Sequence, residues 1–344
     1  MKTRITVNIE NTKAVKTARV AYISGLKPLS FTLTARSYKN IKVIAKLEFL
    51  NPGGSIKDRP ARFIIEQGLQ DGSISRKTHL IESTSGNLGI ALAMLARVHE
   101  LKFTCVVDPK ISTVNLQMLK LLGANIEMVD TPDNQGGYLQ SRIKRVQELL
   151  KTIPQSYWIN QYANELNWQA HYYGTGAEIV SSLDHPIDCL IIATSTTGTL
   201  LGVSKRLRQE FPNLRVFAVD AVGSVIFGAQ PGAREIPGIG ASRVPELSSQ
   251  LEVDEVIYVN DRESALGCRA LLEHEGIFAG GSSGSVIAAI QKLIPTLPSS
   301  YRVLTILPDR GERYLNSVYD DNWLMQLPKP LTTAKLPDMI TQMV

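Results

Sequence analysis

From Lys42 onward the chain alternates short apolar runs with longer amphipathic ones, and this alternation limits the fold more than any other feature. Short apolar runs bounded by Gly, Pro, Asn or Asp have the character of buried strands, and longer stretches with apolar residues three and four apart that of helices. Strands are expected at 43–48, 79–82, 102–107, 125–129, 156–160, 188–194, 215–220, 254–259 and 302–307. Helices are expected between them, at 56–67, 90–98, 113–122, 137–151, 166–182, 261–275 and 283–293. Strands that alternate with helices in this way predict an α/β fold, a mostly parallel sheet covered on both faces. The break at Ile153-Pro154-Gln155 is the natural place to divide it.

The most unusual stretch lies between the first strand and the first helix: Asn51-Pro52-Gly53-Gly54-Ser55-Ile56-Lys57-Asp58-Arg59-Pro60. Pro52, Gly53 and Gly54 break the strand and permit a tight turn. Ser55 followed by Asp58 resembles a capping box, which predicts a helix from about Ile56 to Gln67. Lys57 then falls in the first helical turn, where unpaired N–H groups and the helix dipole disfavour an ammonium. A lysine that loses its proton there can attack a carbonyl. For an arbitrary lysine at a helix start, the plainer reading is a surface charge beside Asp58.

Two further stretches change that balance. His79-Leu80-Ile81-Glu82 leads into Ser83-Thr84-Ser85-Gly86-Asn87-Leu88-Gly89 and an apolar helix. Asp188-Cys189-Leu190-Ile191-Ile192-Ala193 leads into Ser195-Thr196-Thr197-Gly198-Thr199 and another helix. Each is a strand, a hydroxyl- and glycine-rich turn and a helix N-terminus, which aims N–H groups and hydroxyls at an anion. Either alone is an ordinary turn. Both, with an activated lysine, describe a site for a phosphorylated aldehyde and a carboxylate.

These motifs resemble the fold-type-II pyridoxal-phosphate enzymes of the cysteine synthase and cystathionine β-synthase group. The family's Asn-Pro-x-x-Ser-x-Lys motif with a nearby Arg matches residues 51–59, and its Thr-Ser-Gly-Asn-x-Gly loop matches Thr84 to Gly89. Its phosphate loop matches Ser195 to Thr199, and its Gly-x-Ser-Ser-Gly turn matches Gly280 to Gly284. The resemblance runs in order from about Ile41 to Tyr319. It implies a tryptophan synthase β-like fold, two open three-layer α/β domains with pyridoxal 5′-phosphate between them, assembled as a homodimer. It also implies an N-terminal arm and strands at 1–45 packing with the C-terminal half, a smaller mobile domain at 46–155, a larger phosphate-binding domain at 156–327 and a tail at 328–344. Lys57 is the implied anchor and base, Asn87 the partner of the cofactor's ring oxygen and Ser282 the residue facing its ring nitrogen. Ser195, Thr196, Thr197, Gly198 and Thr199 would hold its phosphate, and Thr84, Ser85 and Gln161 the carboxylate of an amino-acid substrate. A serine at the ring nitrogen, rather than an aspartate, favours β-elimination over transamination.

The departures from the family pattern carry finer information. Ser195 and Thr197 stand where glycines are usual, Leu88 replaces a threonine, and Tyr162 brings a phenol beside the implied substrate pocket. Arg243 falls in a loop resembling one at the active-site mouth, and Arg142 lies in the helix that starts near Gly137. Each arginine is either a solvated charge or a partner for a substrate anion. Together these departures resemble one branch, the N-(2-amino-2-carboxyethyl)-L-glutamate synthases of siderophore pathways. Its members join O-phospho-L-serine to L-glutamate on the way to L-2,3-diaminopropionate. Two rivals stand beside it: a cysteine or cystathionine synthase using sulfide or homocysteine, and a catalytically silent regulatory relative.

Composition excludes other classes. Hydrophobic content of 44% and charged content of 20% over 344 residues describe a globule with ample core. Cys105, Cys189 and Cys268 are far apart and suit a core in a reducing compartment; the five histidines show no ligand spacing, so no metal is expected. Of the net charge of +5, the first 20 residues carry +4, through Lys2, Arg4, Lys13, Lys16 and Arg19 against Glu10. The remainder is nearly neutral, which argues against nucleic acid as a partner. That basic segment is either a partner-contacting arm or a targeting peptide. No apolar run reaches the roughly 18 residues of a membrane span, and no secretory signal pattern opens the chain; a cytoplasmic location and small-molecule amino-acid substrates are expected.

Overall fold

The computed structural model describes residues 29–31, 41–133 and 136–328. The basic N-terminal segment and most of the proline-containing tail lie outside these residues.

Among the described residues ten strands form two sheets. They are β1 (Leu29–Phe31), β2 (Lys42–Leu47), β3 (His79–Ser83), β4 (Lys102–Val107), β5 (Asn125–Met128), β6 (Ser156–Trp158), β7 (Cys189–Ala193), β8 (Arg215–Ala221), β9 (Glu255–Val259) and β10 (Arg302–Leu307). The larger sheet has the order β1-β2-β10-β7-β8-β9 and the smaller β5-β4-β3-β6. Every pairing is parallel except β1 with β2. The helices are α1 (Asp58–Asp71), α2 (Asn87–Val98), α3 (Thr113–Leu121), α4 (Leu139–Thr152), α5 (Glu165–Ala170), α6 (Ala177–Ser182), α7 (Gly198–Glu210), α8 (Asp261–Glu275), α9 (Gly281–Leu293) and α10 (Asp321–Gln326).

The period-two alternation of each strand sends its side chains into two cores. Val43, Cys189, Ile191, Phe217, Val219 and Val303 face one side of the larger sheet, against α8 and α9. Ile44, Leu190, Ile192, Val216, Ala218 and Leu304 face the other, with Leu200, Val203 and Leu207 of α7. In the smaller sheet Leu80, Phe103, Cys105 and Val107 pack with α2, while Ile81 and Val106 pack with Val146 and Leu149 of α4. All three cysteines are buried and free.

Four expectations shift. The antiparallel strand β1, only three residues long, has no periodicity to betray it. Strand β6, expected in the larger unit, pairs with β3 in the smaller sheet; Pro154 precedes a strand that still belongs to the sheet before it. The long helix at 166–182 is interrupted by a π turn at His171–Gly176. There α7 packs so closely that a Cβ on Gly202 would lie 2.1 Å from the Trp168 carbonyl oxygen. Helix α1 begins at Asp58 rather than Ile56, and Ser55 does not cap it: the Asp58 carboxylate turns back to accept from the Gly53 N–H at 2.5 Å. Among the described residues no helix is long and apolar enough to cross a membrane.

Candidate active site

The C-terminal ends of β2, β3, β7 and β10 open on one cleft, the place where parallel sheets present loops and helix N-termini to a ligand. Its walls include Lys57, Asn87, Ser195, Thr196, Thr197, Thr199, Ser282 and Asp309.

The loop after β2 is closed by its own side chains. Gly54 adopts φ +78°, and a Cβ on Gly53 would fall 2.4 Å from Asp58 Oδ1. Glycine is required at the first for its dihedral and at the second for space. Lys57 thus stands just before α1, not inside its first turn. Burial of the amine lowers its pKa to about 8, and the Asp309 carboxylate opposes that shift. Desolvation is therefore the main cause, where the sequence pointed to the helix dipole.

Under this loop lies a buried network of four charges. Arg59 Nε reaches Glu48 Oε2 at 2.5 Å and its Nη2 reaches Glu178 Oε2 at 2.6 Å. Lys46 Nζ contacts Glu178 at 2.9 Å and Glu48 at 3.5 Å. Two cations and two carboxylates balance, and they lock α1 to β2 and α6.

At the phosphate-loop position, Thr197 takes φ +65°, a left-handed conformation that a β-branched residue rarely adopts. The N–H groups that open α7 have no partner within the helix and no side-chain cap, an arrangement suited to an anion. The Thr196 hydroxyl accepts from Asn167 Nδ2 at 3.3 Å, and the same amide donates to the Gln161 carbonyl at 2.6 Å. A Cβ on Gly198 would strike Asn167 at 2.6 Å. Ser195 Oγ donates to the Gly240 carbonyl at 3.1 Å. Ser282 is buried at the head of α9.

Thr84, Ser85 and Gln161 lie on neighbouring strand ends. The Thr84 hydroxyl accepts from the Gly86 N–H at 3.4 Å, and the Ser85 carbonyl is held by Asn115 at 3.0 Å. Glu82, 1% exposed, accepts from the Ser83 N–H at 2.8 Å and the Gln161 N–H at 3.4 Å, joining the two segments. Burial pushes its pKa up to about 7.

The Tyr162 phenol lies in the electrostatic field of three guanidinium groups and of Glu82. Burial raises the phenol's pKa, while Arg142, Arg243 and Arg234 all pull it down. The Arg243 guanidinium lies 5.2 Å from the centre of the ring and is itself paired with Glu246. Arg142 is 3.3 Å from Asp108, and its Nε and Nη1 are buried without a hydrogen bond. Neither Tyr162 nor these arginines line the cleft that holds Lys57; they stand beside it.

Five residues here escaped the sequence reading: Asn167, Arg234, Asp309, Arg313 and Tyr314. Asp309 accepts from Asn87 and from the Tyr314 hydroxyl, each at 2.7 Å, and Arg313 donates to the Asn87 side-chain oxygen and, at 2.7 Å, to the Gly53 carbonyl. For Asp309, Arg313 and Tyr314 the one sequence signal was the dense run Pro308-Asp309-Arg310-Gly311-Glu312-Arg313-Tyr314 directly after an apolar strand; Asn167 and Arg234 had none.

The cleft fits pyridoxal phosphate. It offers one amine with a lowered pKa, a hydroxyl- and N–H-rich loop without a carboxylate, and Asp309 Oδ1, buried with no hydrogen-bond partner. Two parallel sheets with such a cleft between them define an enzyme class that holds a phosphorylated carbonyl compound on a lysine. Comparison gives the family: residues 28–309 match that described as pyridoxal-phosphate dependent enzyme, and the chain belongs to it. It is similar in structure to the O-acetylserine dependent cystathionine β-synthase of Helicobacter pylori, with 36% identity, a TM-score of 0.79 and coverage of 86% of this chain and 95% of that one. A hydrogen sulfide-producing enzyme from Fusobacterium nucleatum matches at 29% identity and a TM-score of 0.78, over 85% of this chain and 95% of that one. An O-ureido-L-serine synthase matches at 28% and 0.74, over 83% and 92%.

Proposed function

We propose that the protein catalyses a β-replacement that joins O-phospho-L-serine to the amine of L-glutamate, releasing phosphate and forming N-(2-amino-2-carboxyethyl)-L-glutamate. The observation that carries this reading is the Arg243 guanidinium 5.2 Å from the centre of the Tyr162 ring beside the cleft, with Arg142 and Arg234 acting electrostatically on the same phenol. A phosphorylated donor and a dicarboxylate acceptor bring more negative charge than acetylserine and sulfide, and guanidinium groups are the natural partners for both anions.

Lys57 is the anchor for the cofactor, and its Nζ is the base that takes the α-proton of the first substrate. With an amine pKa near 8 it is a competent base close to neutral pH. Bound in the cleft, the cofactor supplies the electron sink for the charge left on the α-carbon. Thr84, Ser85 and Gln161 orient the substrate carboxylate, and Asn87, Ser282 and the 195–199 loop hold the cofactor. Tyr162 and the Ser195 hydroxyl donate to the carboxylates of glutamate, with Arg142 and Arg243 supplying charge.

A second reading is favoured by one observation: the Helicobacter pylori relative is named for acetylserine and cystathionine synthesis. Product mass after incubation with phosphoserine and a panel of amines and thiols separates the two. The half-reactions are a finer test, because elimination needs only the first substrate. Tyr162→Phe is expected to leave phosphate release in the absence of glutamate intact, and both it and Ser195→Gly, compared at saturating cofactor, to slow product formation with glutamate about ten- to a hundredfold, for one hydrogen bond to a charged group. If both variants use glutamate as fast as the wild type, the two polar groups do not select it. Consumption of homocysteine or sulfide in place of glutamate would establish the second reading.

A further inference from the structure

His171 opens the π turn and is 0% exposed. Its Nδ1 lies 3.0 Å from the Thr175 hydroxyl and its Nε2 lies 3.2 Å from the Thr199 hydroxyl. Thr199 stands in the first turn of α7 and lines the cleft beside Lys57. We infer that His171 is a positioning residue for the cofactor phosphate, fixing the direction in which the Thr199 hydroxyl donates. This rests on reading residues 195–199 as the phosphate loop.

The direction follows from the inventory of protons. Burial, with Lys57 and Arg59 nearby, holds the imidazole pKa well below its usual value, so the ring is neutral. A neutral imidazole has one N–H and one lone pair, and a threonine hydroxyl has one proton. A phosphate dianion only accepts, so the Thr199 proton must be spent on it. The Thr199 oxygen then accepts from His171 Nε2–H, and His171 Nδ1 accepts from the Thr175 hydroxyl. One polarity satisfies all three groups, running from Thr175 through His171 and Thr199 to the phosphate. Without the imidazole the Thr199 hydroxyl is free to turn and donate to a carbonyl of the preceding loop, three or four residues back. The close packing at Gly202 holds the ring in register: a Cβ there would sit 2.8 Å from His171 Cβ.

The test uses two substitutions that differ in which ring nitrogen they imitate. Glutamine in His171→Gln extends an amide donor toward the place of Nε2, whereas asparagine in His171→Asn reaches only that of Nδ1. Holoenzyme is stripped of cofactor and rebinding of pyridoxal phosphate and of unphosphorylated pyridoxal is titrated. His171→Asn is expected to weaken pyridoxal phosphate about tenfold with pyridoxal unchanged, and His171→Gln to stay within about twofold of the wild type. Thr199→Val should weaken pyridoxal phosphate equally, and the double variant no further. Nitrogen NMR of the holoenzyme should find the proton on Nε2. Equal weakening of both ligands in His171→Asn, wild-type affinity in that variant, or a proton on Nδ1 would each overturn the inference. Wild-type affinity in Thr199→Val would instead remove the phosphate-loop reading beneath it.

Discussion

Asn87, at the head of α2 beside the smaller sheet, donates a hydrogen bond to Asp309, which follows the last strand of the larger sheet, at 2.7 Å. The same amide accepts from Arg313, so both ends of the Asn87 side chain are taken up by the segment after β10. One of its N–H protons remains for a ligand. The contact bridges the two sheets and holds a buried carboxylate in the wall of the cleft that Lys57 also lines.

That carboxylate is the one group counteracting the desolvation of Lys57. Capture of pyridoxal phosphate by stripped protein needs the neutral amine, so its rate should rise with pH through about 8. Asp309→Asn removes the stabilisation of the ammonium, and the midpoint should move to lower pH. A midpoint that stays or rises would mean that Asp309 does not set the lysine's charge. Lys57→Ala should show no release of phosphate from phosphoserine while retaining the wild-type circular dichroism.

Choice of donor tests the arginine cluster. Phosphoserine should outcompete acetylserine in elimination, and Arg243→Met should narrow the difference. Competition assays with both donors measure this directly. Equal use of the two by the wild type would leave the phosphate claim without support.

Breaking the buried charge network should be expensive. Arg59→Met leaves Glu48, 1% exposed, with the longer contact to Lys46 as its remaining ion pair and the Asn51 side-chain amide, at 2.9 Å, as a neutral donor. Loss of one member of a buried ion pair costs about 3–5 kcal/mol, because the partner charge stays desolvated. Urea unfolding of the stripped variant should show a loss of this order; a change below about 1 kcal/mol, the worth of an exposed pair, would mean that water reaches the network.

Thr197→Gly should act in the opposite direction. The left-handed backbone at φ +65° penalises a β-branched side chain, and glycine relieves it. Against this stands the loss of one hydroxyl contact to the Thr196 carbonyl at 2.7 Å. A net gain of about 1 kcal/mol in unfolding free energy is expected. Unchanged or reduced stability would show that the hydroxyl outweighs the strain.

The sequence by itself determined the elements and the chemistry of the loops. Short, nearly continuous apolar runs in β3, β7 and β10, bounded by turn residues, specify strands buried on both faces of a parallel sheet. Glycines and hydroxyls at 53–55, 84–86 and 195–199 mark turns that present donors, because those side chains act on their own backbone. Lys57 was legible for the same reason. Tertiary structure alone decided the start of α1, where a carboxylate reaches back to Gly53, and the π turn, where α7 presses on His171. It alone brought Asp309 to Asn87, 222 positions apart in the chain, and Arg243 to the Tyr162 ring. Such groups bear no local mark. Their roles come from burial and from partners that only the packed sheets place within reach, and the pKa of Lys57 is likewise a property of that packing.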